Sequence, residues 1–168
     1  MNIFFLHTNP RKCARWHCDK HVVKMLLETC QLLYTSHWMV DGALSDSAPF
    51  RVGTTQRGYK SSHINHPCAK WVRASRLHYA WLSSLGLELL REYKFRYGGK
   101  SHACAPHIEW LDAHPPVGLT RGDWTEPPRA MPDAYKSGDP VASYRRYYIG
   151  EKSHFLVYTR RGRPHWLP

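Results

Sequence analysis

Long hydrophobic runs are missing from this chain; the longest uninterrupted one is Ile3–Leu6. A membrane-spanning helix needs about 20 apolar residues, so a membrane partner is not expected. A basic leader followed by a long apolar segment is missing too, so secretion is not expected. No C-x-x-C pair occurs among Cys13, Cys18, Cys30, Cys68 and Cys104, which argues against zinc ribbons and knuckles. Their odd number fits reduced thiols in a cytoplasmic setting. Neither an internal repeat nor a low-complexity tract is visible. Acid is scarce: 13 Asp and Glu stand against 24 Lys and Arg, a formal charge of +11.

That excess of positive charge calls for a polyanionic partner, nucleic acid before an acidic lipid surface. Seven Trp and ten Tyr favour nucleic acid, because bases stack on aromatic faces. The 168 residues suit one domain, expected over 1–168. The basic charge falls in three blocks. Residues 11–24 include Arg15, Lys20 and Lys24; residues 57–76 include Lys60, Lys70 and Arg73; residues 145–168 include Arg145, Arg146 and Lys152. Residues 109–133 carry the opposite sign. Three remote blocks on one face would make a groove for a phosphate backbone.

The hydrophobic pattern predicts a mainly α protein. We expect a compact single-domain helical bundle with two long antiparallel helices, a shorter C-terminal helix and long Pro-rich loops. Residues 2–6 read as a strand or a buried extended arm. Val22, Met25, Thr29, Leu32/Leu33 and Ser36 recur at helical steps, so a helix is expected from Arg11 to His37. Residues 41–62, rich in Gly, Ser and Thr, read as loop. Asn65-His66-Pro67 should open a second long helix that runs to about Tyr97 and stops at Gly98-Gly99. Seven of the twelve prolines lie within 103–140, where irregular chain is expected, with a short helix near Ile108–Ala113. Asp139-Pro140 reads as cap and first turn of a helix through Val141–Tyr148.

Three groups of residues could carry chemistry. Cys13, His17, His21, Lys24 and Glu28 stand at steps of four, four, three and four, so on one continuous helix they share a face. Two imidazoles, an ammonium and a carboxylate suit proton transfer; a solvated face with a Lys24–Glu28 pair is the plainer alternative. His17 and His21 could also hold a metal with His102, Cys104 or His107 from elsewhere. Cys13 is two turns from His21, about 12 Å at ~1.5 Å per residue, too far for a single ion. The second group is Tyr59, Lys60, His63, Asn65, His66, Lys70 and Arg73, where a helix N-terminus and its cations suit a phosphate. The third is Tyr144-Arg145-Arg146-Tyr147-Tyr148 with Lys152, which interleaves phosphate contacts and stacking faces. In the plainer reading its tyrosines are core.

Several segments occur in an order that resembles the pyrimidine-dimer DNA glycosylases of the phage endonuclease V type. They are Leu6-His7, a long basic helix, Gly58-Tyr59-Lys60, Asn65-His66-Pro67, Arg96-Tyr97-Gly98 and Tyr147-Tyr148-Ile149-Gly150-Glu151-Lys152. The stretch His17–Met25 is also similar to uncharacterised phage and bacterial proteins. Together the likeness covers about residues 1–100 and 144–152. It implies a compact helical enzyme that needs no metal and no cofactor. In such enzymes the N-terminal α-amine attacks the sugar C1′ to form a Schiff base, and a Glu on the first long helix assists. Asn2 is too large for removal of the initiator Met to be expected, so the amine implied is that of Met1. The position nearest the family's glutamate falls at Lys20 or His21, and Glu28 lies two turns beyond.

The function expected is therefore an N-glycosylase, an abasic-site lyase, or both, acting on a damaged or modified base in DNA. Met1 would be the amine, His21 and Glu28 the proton-transfer groups, and Lys24 their charge partner. Arg15, Lys20, Lys60, His66, Lys70, Arg73, Arg145, Arg146, Tyr147 and Lys152 would hold the nucleic acid. The protein is expected to act as a monomer on double-stranded DNA, in the cytoplasm of a bacterial host or phage-infected cell. The alternatives are a non-catalytic phage-type DNA-binding protein and a metal-dependent nuclease built on His17 and His21.

Overall fold

The structure, a computed structural model, describes residues 1–168. It is mainly α, as the periodicity predicts. The helices are α1 (Pro10–Trp16), α2 (Asp19–Val40), α3 (Pro67–Ala74), α4 (Arg76–Arg96), α5 (Ala105–Ala113) and α6 (Pro140–Lys152). Short 3-10 turns occupy Asp133–Tyr135 and Ser153–Phe155. The one β feature is an isolated bridge, Phe50 to Arg57. Helix α4 packs on α1, α2 and α3, and α5 lies against both α2 and α4. The packing buries one cluster of 30 hydrophobic residues. No helix is long and apolar enough to cross a membrane.

Both long helices expected from sequence are broken once, and tertiary contacts break them. The expected Arg11–His37 helix stops at His17-Cys18, where ψ is 134° and 165°. The Cys18 N–H donates to the Tyr148 hydroxyl at 3.0 Å instead of to a helix carbonyl. The Asp19 N–H donates to the Val157 carbonyl at 2.9 Å. The second helix turns at Ser75, with φ −154° and ψ 146°. Ser75 Oγ accepts the Leu77 N–H at 3.1 Å and donates to the Gly122 carbonyl at 2.9 Å. A serine that caps a new helix and ties down a remote loop outweighs continuation.

Other boundaries follow local chemistry. Pro67 fills the first turn of α3, and His66 Nδ1 caps it by accepting the Cys68 N–H. Asp139 caps α6 through the N–H groups of Val141 and Ala142. Gly98 and Gly99, at φ 66° and 84°, end α4, as glycine does where left-handed backbone is required. Residues Ile3–Leu6 form no strand; they are a buried arm. Asn2 Oδ1 accepts the N–H groups of Ile3 and Phe4 at 2.7 and 3.2 Å. The Asn2 amide donates to the Ala130 carbonyl at 2.8 Å. This folding of the arm fixes where the N-terminus lies.

Candidate active site

The arm delivers the N-terminus to the middle of α2. There the Asn2 N–H donates to Glu28 Oε2 at 2.7 Å. Glu28 is only 8% exposed, so its carboxylate exchanges water for protein partners. Its other oxygen pairs with Lys24 Nζ at 3.3 Å, one turn back on the solvent side. His66 closes a further side. Its basicity is lowered, first by burial and then by the positive N-terminal amine and His63, while Glu28 acts in the opposite sense. With Nδ1 accepting the Cys68 N–H, a neutral His66 carries its proton on Nε2. His63, at the turn where the His66 N–H returns to its carbonyl, has φ of 50°. Left-handed backbone at a non-glycine residue costs about 1–3 kcal/mol and concentrates at functional sites. A buried carboxylate, the N-terminal segment and an ammonium thus meet at one place, with His66 near enough to respond to Glu28 and to the terminal amine.

Of the residues expected to carry chemistry, Met1, Lys24, Glu28 and His66 are brought together. Asn2 joins them through its N–H on Glu28, and His63 lies in the adjoining turn. Asn2 was read only for its size. His63 stood in a motif whose backbone strain no sequence pattern displays.

His21 needs correction. Because α1 ends at Trp16, Cys13 and His17 do not share a face with Glu28, and the imidazole ridge lies inside the molecule. His17 is fully buried and its Nδ1 is bonded to the Cys13 carbonyl at 2.8 Å. His21, 4% exposed, packs against Phe4, Tyr148 and Phe155 at ring separations of 4.4, 5.1 and 5.4 Å. Burial foremost, with His17 and the ammonium groups of Lys152 and Lys24, drives its pKa down to about 3. A ring so enclosed stays neutral near pH 7, and burial makes it a poor acceptor of a second proton.

The donors for a metal-dependent nuclease are likewise not assembled. His107 pairs with the Tyr34 hydroxyl at 2.8 Å, and His102 packs on Tyr93. No three His, Cys, Asp or Glu side chains are placed to share an ion. All five cysteines are free and buried.

The expected nucleic-acid residues divide by what they touch. Lys20, Lys60, Lys70 and Arg146 are exposed. Lys24 and Lys152, from the first and third basic blocks, both act on His21, so these blocks meet beside the arm. Tyr147 is half-buried, stacked 5.9 Å from Phe4 with Lys152 Nζ 5.0 Å from its ring. Arg145, in contrast, donates to the Leu6 carbonyl at 3.1 Å and lies over Trp16 and Trp166. Arg15 pairs with Glu92 at 3.8 Å, and Arg73 is half-buried. Arg145 and Arg15 are partly spent on holding the fold, while Arg73 Nη1 is buried without a hydrogen-bond partner.

Residues 1–105 match the family model described as pyrimidine dimer DNA glycosylase. The chain belongs to that family. The matched span contains every residue gathered around Glu28, and it ends near the start of α5. No curated protein matches this glycosylase-family chain, and no solved structure does. Membership makes DNA its substrate and places it among DNA repair glycosylases.

The buried imidazoles of this family member set its acid stability. Burial lowers His17 to about 4, His21 to about 3 and His37 to about 4, all from an ordinary value of 6.5. The unfolded chain therefore takes up protons below pH 6.5 that the folded chain refuses. The stabilising contribution is complete above pH 6.5 and drains away as pH falls toward 4. Between pH 7.5 and 5 each histidine should remove on the order of 1–2 kcal/mol. Thermal unfolding at the two pH values should show a clear drop in Tm at pH 5; equal midpoints would refute the assignment.

Proposed function

We propose that the protein is a DNA N-glycosylase with abasic-site lyase activity, acting on a damaged base in double-stranded DNA. The observation that carries this reading is the 2.7 Å contact between the N-terminal segment and the Glu28 carboxylate. The N-terminal α-amine attacks C1′, and the bond from C1′ to the base breaks, releasing the base with a proton. Glu28 accepts the proton that the attacking nitrogen must lose, and can return it to the ring oxygen as the sugar opens. The resulting imine draws electrons from the sugar, so loss of the 2′ proton expels the 3′ phosphate. Lys24 Nζ, 3.3 Å from Glu28 Oε1, balances the carboxylate's charge, and His66, whose basicity burial and then the nearby amine lower, would move a second proton. Exposed Lys20, Lys60, Lys70 and Arg146 supply sequence-independent phosphate contacts.

Two nitrogens are candidates. With the initiator retained, the nucleophile is the amine of Met1. The contact itself favours a second reading, because the nitrogen on Glu28 is that of Asn2. Removal of Met1 would turn that nitrogen into the α-amine without moving the anchored Asn2 side chain.

Incubation with duplex DNA holding an abasic site, followed by borohydride, should reduce the imine to a stable adduct. Mass analysis of the linked N-terminal peptide distinguishes Met1 from Asn2. Absence of an adduct beside an active reference lyase would overturn the lyase reading.

A further inference from the structure

Helix α5 starts close against α2 because Gly86 of α4 leaves room there. A Cβ at Gly86 would meet Ile108 at 3.0 Å and Thr29 at 3.1 Å. Thr29 precedes Cys30 on α2. Ile108 lies one turn after Cys104, and its N–H donates to the Cys104 carbonyl at 2.9 Å. The Cys30 and Cys104 thiols, remote in sequence, are thereby brought into hydrogen-bonding contact.

The two thiols are unlike. Cys30 is sealed in the core, and burial pushes its pKa up, so it keeps its proton and donates it. Cys104 stands at the N-cap of α5. The hydrogen bond from Cys30 lowers its pKa most, burial acts against this, and His102 and the Tyr59 hydroxyl, 3.7 Å from Sγ, lower it further. A helix N-terminus favours a thiolate in the same sense. Cys13, Cys18 and Cys68 differ, because burial raises all three. Cys104 also has a way out to solvent. It is 2% exposed, but the two rings that touch its thiol, those of Tyr59 and His102, are only half-buried. His102 and Ala105, on either side of it in the chain, line a cavity of about 360 Å³ together with Arg91, Lys94 and Lys100. Such positive surroundings suit a thiolate nucleophile.

We propose that Cys104 and Cys30 form a redox-active dithiol that hydroperoxides oxidise, with Cys104 attacking and Cys30 resolving. The Cys104 thiolate attacks the peroxide: an S–O bond forms, the O–O bond breaks, and the departing oxygen takes a proton from water. Cys30 then attacks the sulfenic sulfur. The S–S bond forms, the S–O bond breaks, and the oxygen leaves as water with the Cys30 proton. The two sulfurs give up two electrons and the peroxide gains them. A disulfide is about 2.05 Å long, so oxidation draws the start of α5 onto α2 and joins them covalently.

The reduced protein, treated with hydrogen peroxide at neutral pH and then alkylated in denaturant, tests this. Before alkylation it should be lighter by two hydrogens. After alkylation three thiols should be labelled, with one peptide pair linking Cys30 to Cys104, and dithiothreitol should reverse the change. In Cys30→Ser the reaction should stop at a sulfenic acid on Cys104, which dimedone captures. In Cys104→Ser oxidation should slow at least about tenfold. The parent rate should change less than about twofold between about pH 6.5 and pH 8, where an ordinary thiol of pKa about 8.5 gains about tenfold or more. Five labelled thiols, a disulfide through Cys13, Cys18 or Cys68, or an unaltered rate in Cys104→Ser would overturn the dithiol. The peptide map of the parent protein decides the matter even where a variant fails to fold.

Discussion

Glu28→Gln should lower the rate of strand cleavage at an abasic site about a hundredfold or more, the range a positioned proton-transfer group supplies. The borohydride adduct should fall in parallel. Glutamine is nearly isosteric, and its carbonyl oxygen can still accept the Asn2 N–H. The arm should therefore stay docked, and Tm should change little. What is lost is the negative charge that pairs with Lys24 and the ability to take up a proton. Affinity for duplex DNA should hold or rise slightly, since a negative charge leaves a basic surface. Gel-shift binding together with single-turnover cleavage separates the two effects. Activity within threefold of the parent would remove Glu28 from the chemistry. A parent protein that binds DNA but never cleaves it would favour the non-catalytic reading instead.

Arg96→Ala should be the most damaging change to the fold, at about 3–5 kcal/mol. The Arg96 side chain is fully buried. Its Nη atoms donate to the carbonyls of Arg15 and His17 at 2.9 and 2.8 Å, and to Asp19 at 3.0 Å. Its Nε donates to Glu92 at 3.1 Å. The two carbonyls belong to the end of α1, where a helix leaves carbonyl groups without partners. One guanidinium thus satisfies the break between α1 and α2 and neutralises two carboxylates. Removing it strands Glu92, which is 4% exposed, with Arg161 as its remaining close partner at 2.7 Å. A chain of this length should lose about 2–4 °C of Tm per kcal/mol, so a fall of roughly 10 °C is expected. Arg96→Lys should fall between, because a single ammonium cannot span the forked set of acceptors. A loss below 2 °C in Arg96→Ala would show that the break between α1 and α2 stands without this clamp.

The two predictions depend on features that differ in how visible they were. The pairing of Lys24 with Glu28 was readable because helical spacing of four residues places them together. That the N-terminus would arrive at the same carboxylate was not readable. It requires the turn at Phe4, at φ 51°, and the anchoring of Asn2 to Ala130, far along the chain. The apparent ridge of Cys13, His17, His21 and Glu28 failed for a similar reason. Periodicity assumes an unbroken helix, and the hydroxyl of Tyr148 takes the N–H of Cys18 from 130 residues away. No local signal, glycine or proline, marks that break. Ser75 was no clearer, since a serine inside an amphipathic pattern is common and its capping role depends on Gly122 being nearby.

The sequence by itself determined the helical class, the helix starts at Pro67 and Asp139, the stop at Gly98-Gly99 and the preference for a polyanion. Each of these follows from backbone chemistry or summed charge within a short window. The family also was legible in short motifs taken in order. Only the tertiary structure decided which polar groups face one another. It placed Asn2 on Glu28, enclosed His21 among aromatic rings, spent Arg96 and much of Arg145 inside the fold, and set Cys30 against Cys104. Those outcomes depend on contacts between residues far apart in the chain, and a spacing rule carries no information about them.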